Sequence, residues 1–208
     1  MKERGIIFNG DMVRATLSGQ KTQTRRIVKP QPDEDGLARL SGGTWMDTSE
    51  KVYLCPFGKV GDRLWVRETF NGFWLDDDVI QEIKDGISKA SEFCDYRSDY
   101  PDSSQPVGGW TPSIHMPRWA SRITREIIGV RVERLNDISE EDCWAEGIDA
   151  VDDRFENAEI IDMAVKIGCC IEDAKPMFAL LWQSIYGAES WDANPWVWVI
   201  EFKHIKGD

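Results

Sequence analysis

The stretch SGQKTQTRRIVKP, residues 18–30, begins where a short predicted helix ends and a loop or strand follows. Asn9 or Asp11 is suited to cap that helix, because a polar side chain satisfies its first backbone N–H groups. Gly19 is suited to end it, because glycine readily adopts the left-handed conformation that follows many helices. In an extended strand the side chains of Lys21 and Thr24 would point to opposite faces. Any site that uses both residues therefore requires a bent backbone after Gly19.

The same stretch is basic in an otherwise acidic chain. The 208 residues carry a formal net charge of -12, yet residues 12–32 contain no Asp or Glu. This acidic balance argues against extensive nonspecific wrapping of nucleic acid, which requires many phosphate neutralisations. A local basic patch instead suits a nucleoside, a nucleotide or a short RNA ligand. The alternative is a solvated surface turn whose cations balance the acidic body, because charge runs are usually solvated.

Length and composition indicate a single cytoplasmic domain spanning residues 1–208. No apolar run approaches the roughly 20 residues of a membrane span, so we expect no membrane association. The start, MKERGIIFNG, lacks the long apolar region of a signal peptide. Five cysteines without CxxC spacing indicate free thiols in a reducing compartment.

Alternating apolar residues predict several strands. In residues 194–205 (NPWVWVIEFKHI), Trp196, Trp198, Ile200 and Phe202 share one face. In residues 122–135 (RITREIIGVRVERL) the alternation shifts near Gly129, which predicts a β-bulge. Further strands are predicted at residues 5–8 and after Gly61, and helices at residues 139–147 and 174–187.

These elements predict an α+β fold, a small mixed β-barrel with flanking helices, because strands and helices do not alternate as in a doubly wound sheet. Residues 71–113 and 149–175 are acidic and irregular in pattern, and we interpret them as two insertions.

Several chemistries lack their motif. His115 and His204 are the only histidines, and no HExxH, P-loop or GxGxxG motif occurs. We therefore predict no cofactor and no metal site. Carboxylates are abundant, but no pattern selects a two-metal nuclease.

The basic stretch offers Arg for bidentate contacts, Lys as a point charge, and Thr and Gln as hydrogen-bonding groups. Arg118 and Arg122, from residues 112–123 (PSIHMPRWASRI), would extend this patch if the strands are neighbours. Nearby tryptophans would allow a base to stack.

SGQKTQTRR resembles the early motif of the ASCH family of PUA-like domains, in which Gly and a Lys-Thr-x-Thr-x-Arg pattern follow the first helix. Three later segments, residues 61–69, 132–148 and 197–203, resemble further family segments in the right order. Longer pieces are similar to the phage- and prophage-encoded branch. The matching motif residues are Gly19, Lys21, Thr22, Thr24 and Arg26.

The resemblance implies a PUA-like β-barrel whose cleft binds RNA or nucleobase ligands. One bacterial branch is similar to an amidohydrolase that removes acyl groups from N4-acylated cytidine. Its catalytic Lys, Thr and Glu would fall on Lys21, Thr24 and Glu146. The ligand-binding residues would then be Thr22, Arg25, Arg26, Arg118 and Arg122.

Three functions follow as expectations. The first is nucleobase or RNA-type ligand binding with N-acyl nucleoside amidohydrolase activity. The second is a non-catalytic RNA- or nucleic-acid-binding phage regulatory protein. A ribonuclease is a weaker third alternative.

Overall fold

A computed structural model describes residues 1–33, 35–148 and 155–205 of the chain. The helices are α1 (Gly10–Leu17), α2 (Asp77–Lys84), α3 (Glu140–Ala145), α4 (Asn157–Ile167) and α5 (Ala174–Tyr186). The strands are β1 (Glu3–Ile7), β2 (Gln23–Ile27), β3 (Ala38–Arg39), β4 (Trp45–Met46), β5 (Val52–Tyr53), β6 (Arg63–Arg67), β7 (Phe70–Asn71), β8 (Asp95–Tyr96), β9 (Thr124–Arg134) and β10 (Trp196–His204).

The main sheet has five strands in the order β1-β6-β9-β10-β2. β1 and β6 are parallel, and the other neighbouring pairs are antiparallel. Two small sheets, β3-β4-β5 and β7-β8, complete a mixed α+β architecture. The α+β class predicted from the sequence is confirmed.

The predicted barrel is not closed by backbone pairing in the described part of the chain, where β1 and β2 remain the two sheet edges. A side chain spans these edges instead: Nη2 of Arg26, in β2, donates to the carbonyl of Ile7, in β1, at 2.8 Å. The sheet is therefore curled enough for a long side chain to connect β1 and β2, but the two strands are too far apart to pair through their backbones.

Strand β10 separates two apolar cores, as its alternation predicts. Trp198, Ile200 and Phe202 pack into the first core, inside the curled sheet. Val197 and Val199 pack into the second core, against the helices. Both faces of the sheet are thus covered, which fixes the register of β10 because a one-residue slip would exchange its two faces.

The predicted β-bulge is confirmed in β9. Glu201 lies opposite Gly129 and Phe202 lies opposite Ile127, so Ile128 is the additional residue. A Cβ at position 129 would meet the Glu201 side chain, with its Cβ at 3.2 Å, so a larger residue beside the bulge would require Glu201 to shift.

The two segments interpreted as insertions differ in their packing. Residues 71–113 contain α2 and β8, and contribute Cys94 and Tyr96 to a small third core. In the second segment, residues 149–154 lie outside the described residues, whereas α4 contributes Met163 to the second core. The α4 part is therefore integral to the packing around α5. No helix in the described ranges has the length and apolar character to cross a membrane.

Candidate functional site

The backbone bends after α1 as the sequence predicts. Asn9 caps α1 by accepting from the Met12 N–H, and Gly19 follows its end with φ 82°. The chain then turns back, and the Lys21 N–H donates to the Ala15 carbonyl at 2.8 Å. This turn directs Lys21 inward before β2 begins.

Lys21 and Glu146 form a buried ion pair. Lys21 Nζ donates to Glu146 Oε2 and to the Glu146 carbonyl oxygen, both at 2.7 Å. The Lys21 side chain is 0% exposed and that of Glu146 is 5% exposed. Glu146 lies at the C-terminal end of α3, and Gly147 follows it with φ 86°. A helix end and a post-helix turn, 125 residues apart in sequence, thus meet at one contact.

Arg25 holds the other side of Glu146. Its Nη1 donates to Glu146 Oε1 at 3.1 Å, its Nη2 to Asp142 Oδ2 at 2.7 Å, and its Nε to Glu133 Oε1 at 3.0 Å. Sequence analysis did not assign Glu133 or Asp142 to the site. A signal existed for Asp142, because it lies four residues before Glu146 in α3 and residues so spaced share a helix face.

Burial and neighbouring charges perturb the pKa of three groups. Burial lowers the pKa of Lys21; Glu146 opposes the shift, and Arg26 and Arg25 add to it. Burial works against the charged form of Arg25, but Glu146 and Glu133 hold its pKa above the usual value. Burial also opposes ionisation of Asp142, but Gln23 and Arg25 keep its pKa low. Of these three groups, only Lys21 has a pKa shift that favours its neutral form.

Lys21, Arg25 and Glu146 line a cavity of about 20 Å³, here called the site cavity. This is room for about one water molecule and not for a nucleobase. Thr24 is 1% exposed and lines the same cavity. The lining from the predicted set is Lys21, Thr24, Arg25, Arg26 and Glu146, and from α1 and α5 it is Met12, Phe178, Leu181, Trp182, Ile185 and Tyr186.

The Trp182 indole adds an unused donor to this wall. Its Nε1 is buried and has no hydrogen-bond partner in the part of the chain that the structure describes. Because an unpaired buried N–H costs about 1–3 kcal/mol, a ligand that accepted from it would recover that penalty.

Arg26 and Tyr186 line the site cavity and also the surface beside it. Arg26 Nη1 lies 3.5 Å from the Tyr186 hydroxyl, a long and weak contact. Both residues also line two adjoining grooves, of about 480 and 400 Å³. The larger one, here called the seam groove, runs between the edges of β1 and β2 and is lined by Gly5, Ile7, Arg26, Phe57, Arg67 and Tyr186 among others.

Three predicted ligand-binding residues lie elsewhere. Thr22 is exposed, and its backbone is occupied by hydrogen bonds with Ala145 and Phe202. Arg118 and Arg122 line a separate cavity of about 700 Å³. The reason is strand direction: Arg122 precedes β9 and Glu133 lies near its end, a separation of roughly 35 Å along an extended strand.

The 700 Å³ cavity is larger than the site cavity, but carboxylates already bind its arginines. Arg122 pairs with Glu68 at 2.9 Å and with Asp99 at 2.6 Å, and Arg118 pairs with Glu3 at 2.9 Å. It contains no buried amine–carboxylate pair comparable to that of Lys21 and Glu146. We therefore place the candidate chemistry at the site cavity.

No group of three or more His, Cys, Asp and Glu side chains within residues 1–33, 35–148 and 155–205 is arranged to hold a metal ion. No protein-family model, curated protein or solved structure matches the chain. The ASCH resemblance therefore remains a prediction from the motifs.

Gly147 allows Glu146 to approach Lys21. A Cβ at position 147 would lie 2.8 Å from the Ala15 Cβ and 3.0 Å from the Lys21 Cβ. Gly168 is the matched control, because it also has a positive φ, 72°, but an added Cβ would meet nothing within 4 Å. We expect Gly168→Ala to cost about 1 kcal/mol and Gly147→Ala about 1–3 kcal/mol more in urea unfolding. Equal losses would show that only the backbone conformation matters at position 147.

The two partners of the ion pair should differ in their effect on stability. Glu146→Gln leaves the ammonium of Lys21 buried without a carboxylate, so we expect a loss of about 3 kcal/mol. Lys21→Met fills the same space with an apolar chain and leaves Glu146 paired with Arg25, so we expect a change within about 1 kcal/mol. Urea unfolding at neutral pH measures both, and equal losses would contradict this asymmetry.

The pH dependence tests the lowered pKa of Lys21. The unfolded chain keeps this proton up to about pH 10.5, whereas the folded state releases it earlier. The unfolded state then binds more protons in that interval, so stability rises with pH. We expect wild type to gain stability relative to Lys21→Met as pH rises from the folded-state pKa towards 10.5. A constant difference would contradict the shift.

Proposed function

We propose that this protein is an ASCH-type, PUA-like domain that hydrolyses the amide of N4-acylated cytidine or a similar N-acyl nucleoside. The observation that carries the proposal is the buried Lys21 Nζ, 2.7 Å from Glu146 Oε2, in one cavity with Thr24. The curled five-stranded sheet supports the PUA-like assignment, and the Lys-Thr-x-Thr-x-Arg motif supports the substrate class. A nucleoside substrate also fits the cytoplasmic location that the sequence predicts.

The first step is acyl transfer to Thr24. A neutral Lys21 amine accepts the hydroxyl proton of Thr24 while Oγ1 attacks the amide carbonyl carbon, because a lowered pKa makes the neutral base accessible. The carbon–nitrogen bond then breaks, and the leaving amine takes the proton from Lys21 by way of Glu146. Free cytidine departs, and the acyl group remains as an ester on Thr24.

The second step reverses these roles. Water gives a proton to the Lys21–Glu146 pair and attacks the ester carbonyl, which releases the carboxylic acid and restores the Thr24 hydroxyl. The sum is N-acylcytidine plus water giving cytidine plus carboxylic acid. Arg25 is a positioning residue here, because its Nη1 donates to Glu146 Oε1 and orients the carboxylate from the side opposite Lys21.

Substrate entry requires a wall of the site cavity to move. Ile185 and Tyr186, at the end of α5, and Arg26 line both the site cavity and the seam groove. Their displacement would join the two spaces and give the volume that a nucleobase needs. Trp182 and Tyr186, with ring centroids 4.3 Å apart, would then offer an aromatic surface to the base.

The direct test is hydrolysis of N4-acetylcytidine, followed by chromatography of cytidine. We expect Lys21→Met and Thr24→Val each to lower kcat at least about 100-fold, because each removes a proton-transfer or nucleophilic group. Thr24→Ser should retain measurable activity. Lys166→Met is the matched control, because Lys166 is also ion-paired, with Asp192 at 2.6 Å, but on the surface.

Undetectable turnover of several acyl nucleosides by wild type would remove the hydrolase assignment. Binding of the same compounds without turnover would instead support a non-catalytic nucleobase-binding protein.

Entry through the end of α5 predicts a rate effect. Ile185 is 42% exposed, so its truncation costs little packing while widening the path into the site cavity. We expect Ile185→Ala to raise the association rate of N4-acetylcytidine several-fold, measured by stopped-flow tryptophan fluorescence. Ile161→Ala is the control, because Ile161 is 45% exposed on α4 and lies outside this wall. An association rate in Ile185→Ala that is no higher than in wild type would place the entrance elsewhere.

A further inference from the structure

We infer that the seam groove is a phosphate subsite, so that the ligand of the site cavity is a nucleotide rather than a free nucleoside. This inference rests on the proposed function for the position of the base, but not for the phosphate. The groove has a volume of about 480 Å³ and shares Met12, Arg26, Ile185 and Tyr186 with the site cavity. A base bound in the opened cavity would therefore place its substituents in this groove.

The groove is cationic without neutralising partners. Arg26 and Arg67 line it, and no Asp or Glu does. Neither arginine forms an ion pair in the described ranges: Arg26 donates to the Ile7 carbonyl and Arg67 to the Ile114 carbonyl. Nε of Arg67 is buried and has no hydrogen-bond partner in the same ranges. In a chain of net charge -12, these are guanidinium groups left available for an anion.

The contrast with Arg122 shows that the chain neutralises arginines elsewhere. Arg122 lies against Glu68 and Asp99, and Arg25 lies against Glu133, Asp142 and Glu146. Internal carboxylates thus bind Arg122 in the 700 Å³ cavity and Arg25 in the site cavity. Along the seam groove they do not, which is the pattern expected where a ligand supplies the negative charge.

The groove also contains a helix start and aromatic rings. Asn9 and Met12, at the start of α1, line it, but the Asn9 side chain already accepts from the Met12 N–H, and Asp11 adds a negative charge to this turn. Phe57 and Tyr186 line it as well and suit the sugar or the edge of the base. Two guanidinium groups beside aromatic rings together indicate a phosphate ester on an aromatic heterocycle.

The test compares cytidine with cytidine 5′-monophosphate, by calorimetry on the full chain. We expect wild type to bind the monophosphate at least about tenfold more tightly, and this preference to fall with added salt. Arg67→Gln should remove most of the preference while leaving the affinity for cytidine unchanged, and Arg67→Lys should retain part of it. Arg63→Gln is the matched control: Arg63 lies on the same strand, β6, pairs with Glu3 and does not line the groove.

Equal binding of the two compounds by wild type, no binding of either, or equal effects of Arg67→Gln and Arg63→Gln would overturn the inference. A preference for the monophosphate without hydrolysis of N4-acetylcytidine would contradict the hydrolase and support the phosphate subsite. Hydrolysis without that preference would support the hydrolase and contradict the subsite. A short cytidine-containing RNA with a 5′-hydroxyl identifies the source of the phosphate. Tighter binding of the RNA than of the monophosphate would assign the subsite to a phosphodiester, and weaker binding to a free nucleotide.

Discussion

The contact between the ammonium of Lys21 and the carboxylate of Glu146 is the interaction on which the rest of the site depends. Both side chains are buried, and the attraction between their charges offsets part of the cost of burying them. The contact also fixes two local structures, the turn after α1 and the end of α3, against each other. Arg25 then joins the strand β9 to the same carboxylate through Glu133. One ion pair thus aligns a turn, a helix end and two strands around Thr24.

The distribution of charge follows from this arrangement. An acidic protein needs few of its carboxylates for solubility alone, and here several are directed inward against arginines. Glu133, Asp142 and Glu146 surround Arg25, and Glu68 holds Arg122. Within the described part of the chain, Arg26 and Arg67 in the seam groove form no ion pair, so this groove is locally cationic in an acidic protein. Selectivity for a small anion over long nucleic acid is consistent with so restricted a positive region.

Local features of the structure were predictable from the sequence, and long-range ones were less so. The cap at Asn9, the bend after Gly19 and the bulge near Gly129 depend on a few neighbouring residues, and all three are confirmed. The α+β class followed from the sequence of elements, but barrel closure did not, because it depends on how two distant edges meet. Strand direction likewise decided that Arg118 and Arg122 lie away from Lys21. Glu133 reaches the site because of the register between β9 and β10. The residues around Glu133 do not determine that register, so its role could not be predicted from them.

Helix α5 both packs against the sheet and covers the site cavity, and these two roles place opposite demands on its packing. Phe178 and Trp182 belong to the second core and also cover the site cavity. Displacement of these two side chains would therefore loosen packing that holds the helix to the sheet. A form of the protein opened in that way would be partially unfolded, and local stability would set its population. Substitutions that improve the packing of this core would raise the free energy of unfolding and would also lower the rate at which the site cavity opens.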